Sequence, residues 1–256
     1  MPQMPVVFVG HGSPMNALDD NPATRAWEAL ARELPRPRAV LCVSAHWESD
    51  GPRVATAPQP RTIHDFWGFP EDLYRRRYPA PGAPEWAERT RQLLGPTAPV
   101  TADKEWGLDH GTWVPMARLF PEADIPTFQL SLDRTQPPRF HCDLGRALAP
   151  LRDEGVLIVG SGNMVHNLPL MELREKPFPW AAEADALFAQ LIEAGDHDAL
   201  IDYHALGKSA DLAIPTNEHY LPLLYTLALR AKNEPLRFFA DHIVYGSISM
   251  RGVRIG

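Results

Sequence analysis

The chain carries only two cysteines, Cys42 and Cys142, in 256 residues, so neither a disulfide scaffold nor a cysteine-based metal finger can organise it. Thiols this sparse suit a reducing compartment. Cys42 lies inside an apolar run and reads as a buried thiol, and Cys142 reads as helical. Long hydrophobic runs are missing as well: no stretch of about 18 apolar residues offers a membrane span. The N-terminus enters an apolar strand without a basic region and cleavage site, so no signal peptide is expected and a cytoplasmic location is. Positive charge is scarce too. The net charge is −7, and Arg75-Arg76-Arg77 forms the one short basic cluster, which disfavours nucleic acid as the main partner. That cluster reads as a solvated face, with a substrate-carboxylate anchor as the lesser alternative. Repeats and dividing linkers are absent, so one domain over residues 1–256 is expected; the oligomeric state is left open.

What is present is an alternation of apolar and amphipathic segments. Runs at Val6–Val9, Ala39–Ser44, Arg53–Ala57, Thr127–Leu130 and Val156–Gly160 read as strands, several rich enough in Val, Ile and Leu to be covered on both faces. Helical patterns lie between them at Pro22–Leu34, Pro84–Leu94, Val114–Phe120, Pro138–Arg152, Trp180–Ala194 and Glu218–Arg230. Asn21 is placed to cap the first, with Pro22 in its first turn. Short strands are expected at Leu236–Ala240 and Ser247–Val253, antiparallel at one edge. Together these predict an α/β three-layer sandwich, a largely parallel mixed sheet with helices on both faces. The segment Pro58–Pro81, dense in aromatics and proline, breaks the pattern and reads as a long excursion of the kind that often carries function.

The ten histidines are not scattered at random. His11 follows VVFVG, His46 follows VLCVSA, His166 closes LIVGSGNMVH, and His219 stands in PTNEHYLPL at an inferred helix start. Strand ends at the carboxyl edge of an open α/β sheet are where ligands bind, and neutral imidazole is the commonest metal ligand. Convergence of these four would build a metal centre with the donor type of Zn, Fe, Cu or Ni. Their spread along the chain suits an active site with an open position rather than a closed structural zinc site. Neighbouring Glu218 and His219 diverge by about 100° on a helix, so one of them faces the metal and the other stands behind it or faces solvent. His110, in a loop beside Asp109, is a candidate proton carrier. His64, beside Asp65 in the excursion, is a candidate substrate contact. His141, His197, His204 and His242 read as structural or surface residues. The turn Gly160-Ser161-Gly162 permits close backbone approach to a ligand, but its lone GxG is too little for a dinucleotide fingerprint.

The motifs GHGSPMNAL, SAHWE, TIHDFWGFPEDLYRRRYPAPG, LDHGTWVPM, SGNMVHNL and PTNEHYLPLLY together resemble the 4,5-DOPA extradiol dioxygenase family, among the type III extradiol ring-cleavage enzymes. The resemblance runs from Pro5 to the terminal GSISMRGVRIG. It implies an oxidoreductase that opens a catecholic ring with O₂ to a muconic semialdehyde-type product. The expected cofactor is non-haem Fe(II), and Zn(II) can occupy the same place. By motif, His11, His46, His166 and His219 are implied as metal residues and His110 and His166 as acid–base residues. His166 stands as either ligand or base, and Glu218 or His219 as the remaining ligand. Trp47, Trp113 and His64 are then expected to contact the substrate, with Phe66, Trp67 and Trp106 in the same wall and Arg75 or Arg76 as alternative carboxylate partners. Two other readings use the same scaffold: a zinc hydrolase, which consumes no oxygen, and a non-catalytic metal binder, for which His110 has no use.

Overall fold

The computed structural model describes residues 3–174 and 176–256. Among the described residues ten strands are formed: β1 Val6–Gly10, β2 Ala39–Ser49, β3 Arg53–Ala55, β4 Thr101–Asp103, β5 Thr127–Asp133, β6 Val156–Gly162, β7 Leu236–Phe239, β8 Ile243–Val244, β9 Ile248–Ser249 and β10 Gly252–Ile255. Eight of them make one sheet in the order β4-β3-β5-β2-β6-β1-β10-β7, and β8 and β9 pair separately as a hairpin. The centre, β5-β2-β6-β1, is wholly parallel. At one side β10 runs antiparallel to β1 and β7 antiparallel to β10, the expected antiparallel edge.

Period-two alternation along the central strands divides the interior into two layers. Val6, Phe8, Leu41, Val43 and Ile158 face one way, onto helices Pro138–Ala147, Pro179–Ala194 and Leu221–Leu227 through Leu144, Phe188 and Leu224. Val7, Val9, Val40, Cys42 and Val159 face the other way, onto helices Pro22–Glu33 and His110–Leu119 through Trp27, Leu30, Trp113 and Met116. Both faces are therefore apolar and covered, which is why these strands read as continuous hydrophobic runs. At about 1.5–3 kcal/mol for each fully buried aliphatic or aromatic side chain, the two layers supply most of the drive to fold. Asn21 caps Pro22–Glu33 as expected, accepting from the Ala23 and Thr24 amides.

Several boundaries differ from the sequence expectation. Strand β2 continues to Ser49 after a register shift between Val43 and Glu48, so His46 lies within the strand rather than beyond it. The helix expected from Val114 begins at His110, because the buried Asp109 caps it by accepting from the Thr112 amide. The pattern Pro138–Arg152 is two helices that break at Leu148, just before Pro150, a residue without an N–H to continue the ladder. The last helix starts at Leu221, not Glu218, which places Glu218 and His219 in the preceding turn and removes the helical argument for their divergence. Strand β4 was not anticipated.

Candidate metal centre and its cavity

The carboxyl ends of the parallel strands deliver the histidines to one place. His11 leaves β1, His46 rises from β2, and His166 follows β6; His219 comes from the turn that opens the helix Leu221–Leu227. A Cβ at Gly162 would collide with the His219 carbonyl oxygen, and one at Gly160 with that of Pro222. The glycines thus admit the protein's own backbone rather than a ligand's. The Asn163 amide donates to the His219 carbonyl at 2.9 Å, and the His11 amide to the Gly162 carbonyl at 3.0 Å.

Two of these imidazoles are held in one tautomer by hydrogen bonds, and a third turns its Nδ1 to a carboxylate. The Ser161 hydroxyl donates to the Gly111 carbonyl, so its oxygen, 3.0 Å from His11 Nδ1, accepts from that nitrogen. Glu218 Oε1 lies 2.9 Å from His219 Nδ1, and Asp65 Oδ2 lies 3.3 Å from His46 Nδ1. Each Nδ1 carries its proton toward an acceptor, which leaves each Nε2 with a free lone pair. The Nε2 atoms of His11 and His46 are 3.1 Å apart. Two bare lone pairs at that distance repel unless a cation sits between them. Two nitrogens bound to one ion at about 2.1 Å, with bond angles between a right angle and tetrahedral, stand about 3.0–3.4 Å apart. The donors therefore fit a transition-metal ion. The His219 ring centroid is 5.2 Å from that of His11 and 5.0 Å from that of His46.

Burial keeps this cluster uncharged, as ligands must be. His11 and His219 titrate well below the ordinary imidazole range, first from burial and then from neighbouring imidazoles. Burial likewise pushes His46 down to about 3 and His166 down to about 4. The opposite holds for Asp65, where burial favours the neutral acid but the ring and backbone of His110, with His46, hold the carboxyl below its usual value.

Around His11, His46 and His219 stand His110 and His166. His110 opens its helix; its amide donates to Asp65 Oδ1 at 2.9 Å, and its Nδ1 lies 3.0 Å from Asp65 Oδ2. One carboxylate thus faces the far nitrogens of both His46 and His110. Behind it the buried Asp109 accepts from Ser44 Oγ and Gln129 Nε2, each at 2.7 Å, which fixes the helix start. His166 stacks on His219 at 3.5 Å between ring centroids, nearly parallel. Ligating atoms of His11, His46 and His110 lie within 4.8 Å of one another, as do those of His166, Glu218 and His219. His46, His110 and His166 open onto a cavity of ≈ 540 Å³.

The expected substrate contacts fall elsewhere. Trp47 follows His46 on the strand, so it faces the opposite way, stacked on Trp106 at 5.1 Å. Trp113 is buried, with Nε1 donating to the Ile63 carbonyl. The His64 ring packs near Phe66 and Trp113, its Nε2 3.0 Å from the Arg76 carbonyl. None of the three lines the cavity, whereas Phe66 and Trp67 do. Arg75 is occupied in an exposed pair with Glu71 at 2.6 Å. Two contributors were missed. Asp65 sits beside His64, and Ser161 sits inside the turn whose glycines suggest a ligand approach.

The match that decides the family covers residues 5–250: they fit the model of the catalytic LigB subunit of aromatic ring-opening dioxygenase. The chain belongs to the LigB family. Among its relatives is the 4,5-DOPA dioxygenase extradiol of Escherichia coli K12, 46% identical, the alignment covering 99% of this chain and 95% of the relative. The protein of the same name from Beta vulgaris is 40% identical, over 88% of this chain and 87% of its own length. Dioxygenase tasH of Hapsidospora irregularis is 31% identical, over 93% of this chain and 81% of its own. The crystal structure of the uncharacterized protein JW3007 from Escherichia coli K12 superposes with a TM-score of 0.85 at 42% identity, covering 99% of this chain and 100% of that one. Extradiol ring-cleavage dioxygenases are thus this LigB member's family, its fold is the expected α/β sandwich, and among the described residues no helix is long and apolar enough to cross a membrane.

Proposed function

We propose that this LigB-family chain opens a catecholic ring beside its diol with O₂, yielding a muconic semialdehyde-type product, and that residues 1–256 act as one catalytic domain. Its metal is Fe(II), held by Nε2 of His11, His46 and His219, with Glu218 fixing the last from behind. When bound, Fe(II) supplies open positions for both catechol oxygens and for O₂, together with the redox chemistry that a closed-shell zinc ion lacks. The observation that carries this reading is the pair of Nε2 atoms 3.1 Å apart beside an open cavity, each ring's Nδ1 facing an acceptor.

The remaining groups divide the proton work. His166 lines the cavity and is neutral near pH 7, so it accepts a hydroxyl proton as the catechol enters. His110 stands beside His46, ring centroids 3.9 Å apart, with Nδ1 toward Asp65. Its Nε2 would take the second catechol proton, making His110 an imidazolium beside Asp65, and would return that proton to a product oxygen. Asp65 steadies both rings and stabilises positive charge on His110 during that transfer. The small substrate and O₂ are the expected partners.

The test is anaerobic loading with Fe(II), then catechol, then oxygen. Stoichiometric oxygen uptake with a rising visible absorbance is expected. No uptake with any catechol, or hydrolysis of a test ester without oxygen, overturns the reading.

A further inference from the structure

A buried ion pair stands behind the cavity wall, outside the histidine cluster. Asp185, on the helix Pro179–Ala194, is buried. Arg251, between β9 and β10, meets its carboxylate with two nitrogens: Nη2 lies 2.6 Å from Oδ2, and Nε lies 3.1 Å from Oδ2 and 3.2 Å from Oδ1. The Ser249 hydroxyl donates to Oδ1 at 2.6 Å and accepts from the Arg251 amide at 3.2 Å. The guanidinium also sits over the Phe238 ring, 5.0 Å from its centroid, a favourable face for a cation. One ion pair thus ties a helix, β9 and β7 together.

Strand β9 needs such a tie. It is two residues long and pairs with β8 outside the eight-stranded sheet, and a hairpin that short has little stability of its own. Yet β9 holds the backbone around His166. The Ser249 amide donates to the Val165 carbonyl at 3.0 Å, its carbonyl accepts from Asn163 Nδ2 at 2.7 Å, and Ile248 bridges His166 in antiparallel register. One residue earlier, the Ser247 hydroxyl donates to the Asn167 carbonyl at 2.9 Å, and the Ser247 carbonyl accepts from the Asn167 amide at 3.2 Å. Neighbours on a strand point to opposite faces. Ser249 accordingly reaches Asp185, while Ile248 lines the cavity that His166 also lines. On its other side the His166 amide donates to the Ala213 carbonyl at 2.9 Å. A forked arginine–carboxylate pair adds geometric specificity that apolar packing lacks, so it fixes how β9 is turned as well as how deep it sits.

We propose that Asp185 and Arg251 are positioning residues for His166: the pair sets β9, and β9 sets where the His166 ring stands in the cavity. The base role of His166 rests on the ring-cleavage reading; its placement does not. The test is the triple variant Asp185→Leu/Ser249→Ala/Arg251→Met, which removes the three side chains together so that no charge is left buried alone. Exchanging a buried ion pair for apolar groups of similar size is often neutral for stability. The urea midpoint should therefore stay near the parent's, and the variant should still take up about as much Fe(II) or Zn(II) as the parent. Its kcat with catechol should fall about ten- to hundredfold, as when a catalytic group is displaced by about 1 Å. The second readout needs no turnover. In the zinc-loaded parent the His166 ring, stacked on His219 at 3.5 Å, should show proton resonances upfield of free imidazole, and in the variant these should move back toward it. Arg251→Lys keeps the charge without the fork and should give an intermediate kcat and an intermediate shift; if the triple variant does not fold, it decides by the same two readouts. An unchanged kcat with an unchanged shift overturns the proposal. So does a lower kcat with an unchanged shift, which would route the effect elsewhere than His166. A shift that moves although the parent consumes no oxygen keeps the positioning and removes ring cleavage, so the two failures are distinguishable.

Discussion

The two ends of the sheet bury polar side chains in opposite ways. At the amino end Arg152, 2% exposed, spends its guanidinium on the protein itself. Nε donates to the Met4 carbonyl at 2.8 Å and Nη1 to the Leu229 carbonyl at 2.7 Å, and Glu234 takes the remaining charge. At the carboxyl end His11 and His46 use one nitrogen each on the protein and turn the other toward each other across 3.1 Å. A buried group whose partners are all internal holds the fold. One whose lone pair has no internal partner awaits something from outside.

The sharpest break of this contrast is to delete a member at each end. His46→Ala removes a lone pair the protein does not itself satisfy. We expect metal content to fall from about one ion per chain to near zero and oxygen uptake to vanish. The metal-free variant should unfold within about 1 kcal/mol of the metal-free parent. Arg152→Met does the reverse: Glu234 and two carbonyls lose their partner, which costs about 3–5 kcal/mol, read as a lower urea midpoint. Its folded fraction should still take up a full complement of metal. Equal destabilisation by the two substitutions would erase the distinction.

His141 places a histidine in the internally satisfied class. It is fully buried on the helix Pro138–Ala147, with Nδ1 3.2 Å from the Tyr225 hydroxyl and Nε2 3.2 Å from the Asp133 carbonyl. Burial lowers its pKa to about 4, against a weaker pull upward from Asp133. The folded protein therefore declines a proton that the unfolded chain accepts near pH 6.5. Stability is unaffected by this residue above about pH 7, falls as pH drops from about 6.5 to 4, and loses no more below that. The window is worth about 3 kcal/mol. His11, His46, His166 and His219 are shifted the same way, so the measurement is the difference between parent and His141→Gln across urea titrations at several pH values. A variant curve parallel to the parent's would mean that His141 does not contribute.

Legibility in the sequence tracked the same physics. Strands β1 and β6 are legible because both faces are covered and their runs Val6–Val9 and Val156–Val159 are wholly apolar. The exposed Thr101–Asp103 of β4 and the two-residue β8 leave no such trace, and the strand expected at Ser247–Val253 divides into β9 and β10. His11, His46, His110, His166 and His219 could be singled out because turn or strand ends flank each one. Trp47 and Trp113 have the composition of a pocket wall, but strand alternation and helix packing turn them inward, which composition does not record. Asp65 was invisible for a related reason. It lies in an excursion without periodicity, and its role exists only where two distant histidines are folded beside it.

That role gives the finest test of the contrast, since Asp65 belongs to both classes. It accepts from the His110 amide at 2.9 Å, an internal use. Its other oxygen sets the far nitrogens of His46 and His110 at 3.3 and 3.0 Å, a use realised only when the near nitrogens have work. Asp65→Asn keeps the shape and one acceptor oxygen but removes the charge that orients His46 and supports a positive His110. Partners of this kind change metal affinity or activity by about 10–100-fold. We expect Fe(II) to bind about tenfold more weakly by anaerobic competition with a chelator, and kcat to fall by a similar factor at saturating metal while KM for the catechol stays put. Asp65→Glu should recover part of the metal affinity. A variant that lost stability but kept both constants would make Asp65 a loop anchor, and would move it to the side of Arg152.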